Sequence, residues 1–267
     1  WTLSGYLAQV GQATIRLKDE TIHWLGFFGL ALQTFFSLMF QPAKWRITSV
    51  VANIDNSGYK AAPIVMLLCF MVGAVVAFLG ATVLQSFGAE VFVVHLVAYS
   101  FLREFATLLT AILMAGRTAS AFTAQIGSMK VNEELDALQA SGSDPMALIV
   151  VPRVVALLVA MPLLTFLGMI AGMLGGMLVA ALSMDISPTL FFDILNNNVA
   201  VKHFLVGMGK APLMAIVIAI TGCIEGFKVS GSAESVGQHT TKSVVKCIFL
   251  VILLDALCAI FFMEMGW

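Results

Sequence analysis

The 267-residue chain is 60% hydrophobic and only 11% charged, with a mean hydropathy of +0.98. Soluble domains carry about 25% charged residues because their surface faces water, so this composition excludes a soluble protein and predicts an all-α integral membrane protein. The 14 basic and 15 acidic residues nearly cancel, which gives no indication of a nucleic-acid partner.

Residues 1–60 are predicted to form N-terminal interfacial and elbow helices, and residues 61–267 a membrane domain. Ile22–Phe40 is long enough to span a bilayer. Its polar residues nevertheless fall near one helical face, opposite an aromatic and aliphatic face. The polar set is His23, Gln33, Thr34, Ser37 and Gln41, and the apolar set is Trp24, Phe28, Phe35 and Leu38. This pattern favours a helix lying in the interface over a sixth span. Pro42 suits a first helical turn, so residues 42–57 are predicted to form an amphipathic elbow.

About five transmembrane helices are predicted, because a span needs about 20 mostly apolar residues. The predicted spans are Ala62–Leu84, Val91–Ala115, Met146–Leu182, Phe204–Ile224 and Val244–Met263. The third is longer than one span, and since no polar turn interrupts it we expect a single helix, kinked at Pro152 or Pro162. Ser187 and Pro188 predict the start of a short external helix.

Basic residues alternate between the segments that flank the spans. They are Arg16, Lys18, Lys44, Arg46 and Lys60 before the first span, Arg117, Lys130 and Arg153 in the segment after the second span, and Lys228 and Lys242 in the last loop with Lys246 just beyond it. The two remaining loops have no Lys or Arg. By the positive-inside rule, the N-terminus is predicted to be cytoplasmic and the C-terminus external.

The segment 116–145 carries the most informative pattern. From about Ser128 to Ala140 it reads as one amphipathic helix, which ends at Ser141–Gly142. The apolar contacts are Met129, Leu135 and Leu138, and the charged positions are Lys130, Glu133, Glu134 and Asp136. The pattern alone fits equally a helix that docks on a separate motor subunit and a solvated loop helix.

Ionisable residues inside the predicted spans are Arg103, Glu104, Lys210 and Asp255. A charge at the centre of a span costs about 2.5–3.5 kcal/mol on the insertion scale, so it normally faces a partner or a wet cavity. Ser100, Arg103, Glu104 and Thr107 share one helical face and are candidates for a substrate cavity that meets a lipid headgroup. The alternative is a buried ion pair that fixes helix packing, either Arg103 with Asp255 or Glu104 with Lys210.

Gly168, Gly172 and Gly176 form a GxxxGxxxG pattern in the third span, which predicts close helix packing within the subunit or across a dimer. The chain has no GxxxxGK[ST] loop, and its cysteines and histidines are scattered. We therefore expect neither catalytic residues nor a metal site on this chain, and any ATPase must be a separate subunit.

Several ordered blocks resemble one known family. They are LREFATLLTAILMAG (102–116), GRTASAFTAQIGSMKVNEELDAL (116–138), GSDPMALIVVPRVVALLVAMPLLT (142–165) and EGFKVSGSAESVGQHTTKSVV (225–245). The chain resembles the MlaE (YrbE) family of ABC permeases from about Ser57 onward. It departs from the family pattern at Gln125, usually Glu, and at Glu234 and His239, usually small residues.

The resemblance implies a homodimeric permease of the bacterial inner membrane that moves phospholipid between that membrane and the periplasmic or outer-membrane side, in a direction that the sequence does not give. It also implies a cytoplasmic ABC ATPase that binds ATP, a periplasmic MCE-domain protein and a small cytoplasmic STAS-type regulator. Two alternatives come from other classes. A proton-coupled transporter would use Glu104 and Asp255 as a relay, whereas a membrane-embedded lipid enzyme would need a nucleophile–base or metal constellation, which the sequence does not display.

Overall fold

In the computed structural model, which describes residues 3–41 and 45–267, the chain is all-α. The described residues form nine helices of seven residues or more, a 3-10 turn at Tyr59–Ala61 and no strand. The helices are α1 (Leu3–Met39), α2 (Ile47–Ser57), α3 (Ala62–Gln85), α4 (Phe92–Val131), α5 (Glu134–Ala140), α6 (Met146–Ser183), α7 (Pro188–Asn198), α8 (Val201–Phe227) and α9 (Ala233–Glu264). The expected all-α membrane class is therefore confirmed.

Six helical segments in the described part of the chain are long and apolar enough to cross a membrane. Five of them correspond to the five predicted spans. The sixth is Lys18–Leu38 within α1, the least apolar of the six and the least buried within the subunit. The short helix predicted to begin at Ser187 and Pro188 is also confirmed: α7 begins at Pro188, and the Ser187 hydroxyl caps it by accepting from the Leu190 amide at 3.2 Å. Pro42, where the elbow was expected to begin, lies outside the described residues, and α2 forms the remainder of that elbow.

Helix α1 runs along one end of the bundle. The Phe27 and Phe227 rings lie 5.8 Å apart at the end of α8, whereas Leu38 and Gln41 line a cleft beside Asp144, just before α6. Because α6 and α8 are consecutive apolar helices, the start of α6 and the end of α8 lie on the same face of the membrane. Helix α1 contacts both and therefore crosses this end of the bundle, and its interfacial position stays a prediction.

The side chains of α1 divide into three sectors, as expected for a helix at a boundary between protein, lipid and water. One sector packs on the bundle (Trp24, Phe28, Ala31, Phe35 and Leu38). A second is apolar and exposed on the subunit (Ile22, Leu25, Leu32, Phe36 and Phe40). The third is polar and exposed (His23, Gln33, Ser37 and Gln41).

Two expected boundaries in the next region are wrong. The second span was predicted to end at Ala115, but α4 continues to Val131, and at about 1.5 Å per residue its 40 residues extend about 60 Å. The predicted single helix Ser128–Ala140 is interrupted at Asn132–Glu133, where Glu133 adopts the left-handed conformation with φ 59°. Apolar periodicity continues across this point, so it does not reveal the break.

Helix α6 is continuous, with Pro162 in its interior and Pro152 in its first α-helical turn after a π-helical segment at Met146–Val150. Its glycine face packs within the subunit. A Cβ on Gly172 would lie 2.0 Å from the Phe101 ring, and one on Gly73 would lie 2.0 Å from the Gly172 carbonyl oxygen. A Cβ on Gly176 would lie 2.5 Å from Val97 Cγ1, and one on Gly168 would lie 3.1 Å from Cys69 Sγ. The absence of side chains on this face lets α3, α4 and α6 pack in direct contact.

Candidate functional site: an intramembrane charge cluster

Helices α4 and α8 approach closely at Gly207. A Cβ there would lie 2.1 Å from the Leu102 carbonyl oxygen, and the buried Thr107 hydroxyl donates to the Gly207 carbonyl at 3.0 Å. Lys210 lies one helical turn further along α8. The glycine therefore sets the separation at which a lysine on α8 reaches a carboxylate on α4.

Four charged side chains meet at this point and form the charge cluster: Arg103, Glu104, Lys210 and Asp255. The ammonium of Lys210, which is 0% exposed, contacts Glu104 Oε2 and donates to Asp255 Oδ1 at 3.1 Å. Arg103 Nε lies 3.5 Å from Glu104 Oε1, and its Nη1 donates to the Trp267 backbone carbonyl at 2.6 Å. Of the two pairings expected from the sequence, the structure forms Glu104 with Lys210, and Asp255 joins the same lysine.

The charge cluster is neutral, with two cations and two anions. Lys210 lies nine residues into α8 and Asp255 nine residues before the end of α9, so at about 1.5 Å per residue both are about 14 Å from a helix end. Mutual pairing lowers the cost of holding these charges within an apolar bundle. Glu104 retains 26% side-chain exposure and Arg103 20%, so both can also contact a polar group of a ligand.

The four residues predicted to share a cavity do not face one space. Residues Ser100–Phe105 form a π-helical turn, which shifts the angular positions along α4, and such turns are frequent at functional sites. Ser100 and Phe105 line an apolar groove of about 610 Å³ between α3 and α4. Thr107 is fully buried against α8. Only Arg103 and Glu104 belong to the charge cluster.

The residues predicted to couple to an ATPase also separate into two groups. Glu133, Glu134 and Asp136 are exposed around α5, which is anchored by the buried Leu135. Lys130 instead donates to the Phe227 carbonyl at 2.5 Å and ties the end of α4 to the end of α8.

A second charged group at the end of α8 was missed by sequence reasoning. Glu225 is 2% exposed and lies 2.8 Å from His239 Nδ1, 2.9 Å from Lys246 Nζ and 3.4 Å from Lys228 Nζ. Lys246 also pairs with Glu20 of α1 at 2.8 Å. His239 could have indicated this group from the sequence, because it is ionisable and the family that the chain resembles usually has a small residue at that position.

The other two departures from the family pattern also have partners. The amide oxygen of Gln125 accepts from Arg153 Nη2 at 3.0 Å, and the Arg153 guanidinium lies 5.3 Å from the centre of the Phe122 ring. Glu234 accepts from Gln238 Nε2 at 3.3 Å within the first turns of α9. Gln125 thus meets the buried arginine at the start of α6 without forming an ion pair.

Comparison with known proteins gives the family directly. The model of the Permease MlaE family matches residues 50–261. The chain is 34% identical over 203 residues to a probable ABC transporter permease protein of Synechocystis sp., covering 76% of this chain and 77% of the relative. It is also 34% identical over 207 residues to the intermembrane phospholipid transport system permease protein MlaE of Haemophilus influenzae, covering 77% and 79%.

A probable ABC transporter permease protein of Rickettsia felis is 28% identical over 91% of this chain and 92% of its own length. These relatives are transporter subunits and not enzymes, and they give no support to a proton-coupled carrier or a lipid-modifying enzyme. With its bundle of long apolar helices and a family match over most of its length, the chain belongs to the MlaE family of ABC transporter permeases and is a multi-pass membrane protein.

Proposed function

We propose that this chain is the phospholipid-moving permease of a dimeric ABC transporter in the bacterial inner membrane. The observation that carries the proposal is that α4 presents two partly exposed charged side chains, Arg103 and Glu104, and on a different face lines an apolar groove with Ser100 and Phe105. A phospholipid has the same division into a charged headgroup and apolar chains. The phospholipid transport named for the Haemophilus relative agrees with this chemistry.

In this proposal a homodimer encloses the transport path, and a separate cytoplasmic ATPase binds ATP and drives it. The exposed carboxylates of Glu133, Glu134 and Asp136 form the docking surface for that ATPase, because they project from a short helix held by Leu135. A periplasmic MCE-domain protein receives or delivers lipid on the opposite face, and a small STAS-type regulator binds the ATPase. The N-terminus is cytoplasmic, in line with the distribution of Lys and Arg.

The proposal is tested with photo-crosslinking amino acids incorporated at Glu104 and, as a control, at Phe249, which is 65% exposed on α9. Crosslinking at Glu104 should capture phospholipid, and ATP together with the ATPase should change the yield. The control should capture bulk lipid without ATP dependence. Equal, ATP-independent labelling at both positions would remove the charge cluster from the transport path.

A further inference from the structure

A polar cavity lies away from the charge cluster, where α1 meets the start of α6. Its volume is about 580 Å³, and it is called the cytoplasmic cleft here because it lies at the predicted cytoplasmic face. The C-terminal turns of α1 form one wall and the segment Gly142–Leu148 forms the other. Arg46, just before α2, closes a third side. If α1 lies in the interface, as the sequence predicts, the cleft lies at the depth of lipid headgroups.

The lining of the cytoplasmic cleft has two chemical parts. Leu38, Ala147 and Leu148 are apolar, whereas Ser37, Gln41, Ser143, Asp144 and Arg46 are polar or charged. An amphipathic cavity at headgroup depth suits a group that joins a polar head to an apolar chain. A small polar metabolite would gain nothing from the apolar part.

The two charges of the cytoplasmic cleft are opposite and are not paired with each other. Within the part of the chain that the structure describes, the Arg46 guanidinium makes no hydrogen bond or ion pair. Asp144 accepts one hydrogen bond through Oδ1, from the Met146 amide at 2.9 Å, which leaves Oδ2 available. A dipolar ligand can therefore contact both charges, its anionic group at Arg46 and its cationic group at Asp144.

We propose that the cytoplasmic cleft, with Arg46 and Asp144 on its opposite walls and Leu38 and Leu148 beside them, binds the headgroup of an ethanolamine phospholipid from the adjacent leaflet. The phosphate accepts hydrogen bonds from Arg46, and the primary ammonium donates to Asp144. The glycerol end lies against the two leucines. A choline headgroup has no N–H to donate, and a glycerol headgroup has no cation. This site is independent of the charge cluster and of the proposed transport path.

The test is native mass spectrometry of the detergent-purified chain with phosphatidylethanolamine, phosphatidylglycerol or phosphatidylcholine of identical acyl chains. Wild type should retain the ethanolamine lipid in preference to the other two. Arg46→Gln and Asp144→Asn should each weaken its binding about tenfold or more, the effect of losing one charge-assisted hydrogen bond. The matched control Lys242→Gln, an exposed cation on α9, should bind as wild type does.

Asp144→Asn should preserve the fold, because asparagine, like aspartate, caps a helix N-terminus. Loss of lipid binding in this variant therefore reports on the binding site. Water-soluble phosphoethanolamine should fail to displace the lipid, since it lacks the apolar part. Any of four results would overturn the proposal: no preference among the three lipids, a preference for phosphatidylglycerol, loss of binding in Lys242→Gln equal to that in Arg46→Gln, or full displacement by phosphoethanolamine.

Discussion

Lys210→Met should be the most destabilising single change in the charge cluster. Lys210 is fully buried and bonds both Glu104 and Asp255, so removing it leaves two carboxylates without their shared cation. Breaking a buried pair by removing one partner costs about 3–5 kcal/mol of unfolding free energy. We expect about 3 kcal/mol, the lower end, because Glu104 keeps a contact with Arg103 and both carboxylates retain some exposure.

Glu104→Gln and Asp255→Asn should each cost much less, about 1 kcal/mol. Either variant leaves Lys210 one carboxylate, and the new amide oxygen still accepts a hydrogen bond. Adding Asp255→Asn to Lys210→Met should restore part of the lost stability, because it removes the stranded charge. This order of effects follows from Lys210 having two anionic partners.

The assay is the unfolding free energy of the purified chain in detergent micelles, measured by denaturant titration with tryptophan fluorescence. The expected ranking is Lys210→Met least stable, the double variant intermediate, and the two amide variants close to wild type. If Lys210→Met is as stable as Glu104→Gln, Lys210 does not hold the carboxylates together and the described cluster geometry is wrong.

Three further predictions concern other parts of the chain. A single cysteine at Ser128 should react with an impermeant maleimide from the cytoplasm only; labelling from outside would reverse the proposed orientation. Reversing charge with Glu134→Lys and Asp136→Lys together should abolish co-purification of the ATPase without reducing membrane insertion, and normal co-purification would exclude α5 as the docking helix. Gly172→Ala should destabilise by about 1–3 kcal/mol, because its Cβ would overlap the Phe101 ring, whereas Gly209→Ala has open space and should be nearly neutral in the same unfolding assay.

The spans were predictable because a helix that crosses a bilayer needs about 20 mostly apolar residues, and the sequence shows such runs directly. The continuation of α4 from Gly116 to Val131 was not, since its polar residues look like a loop when read alone. Tertiary packing decides the outcome there: a Cβ on Gly127 would meet Val229, and one on Gly226 would meet Ile126. These contacts join residues about 100 positions apart and leave no local signal.

The charge cluster was predictable in part. Charges in an apolar span need partners, which identified the four residues and named Glu104 with Lys210 as one of two pairings. The shared face of Ser100 and Thr107 was expected from 3.6-residue periodicity, which the π-helical turn at Ser100–Phe105 interrupts. That Asp255 joins the same lysine depends on the position of α9, which only the folded bundle defines.

The partners of Glu225 were not predictable. From the sequence, a glutamate at the end of a span is expected to be solvated. Glu225 is only 2% exposed because α1 and α9 pack over it. His239 was noticed as a departure from the family pattern, but its contact with Glu225 could not be read from spacing alone.

The central claim is that this chain, driven by a separate ATPase, moves phospholipid. The most direct measurement uses proteoliposomes that contain the chain, its ATPase and a fluorescent phospholipid, with the MCE-domain protein on the outside as acceptor or donor. Lipid transfer should require hydrolysable ATP and should be reduced by Glu104→Gln without loss of folded protein. Transfer at the same rate without ATP, or none with all components folded and assembled, would contradict it.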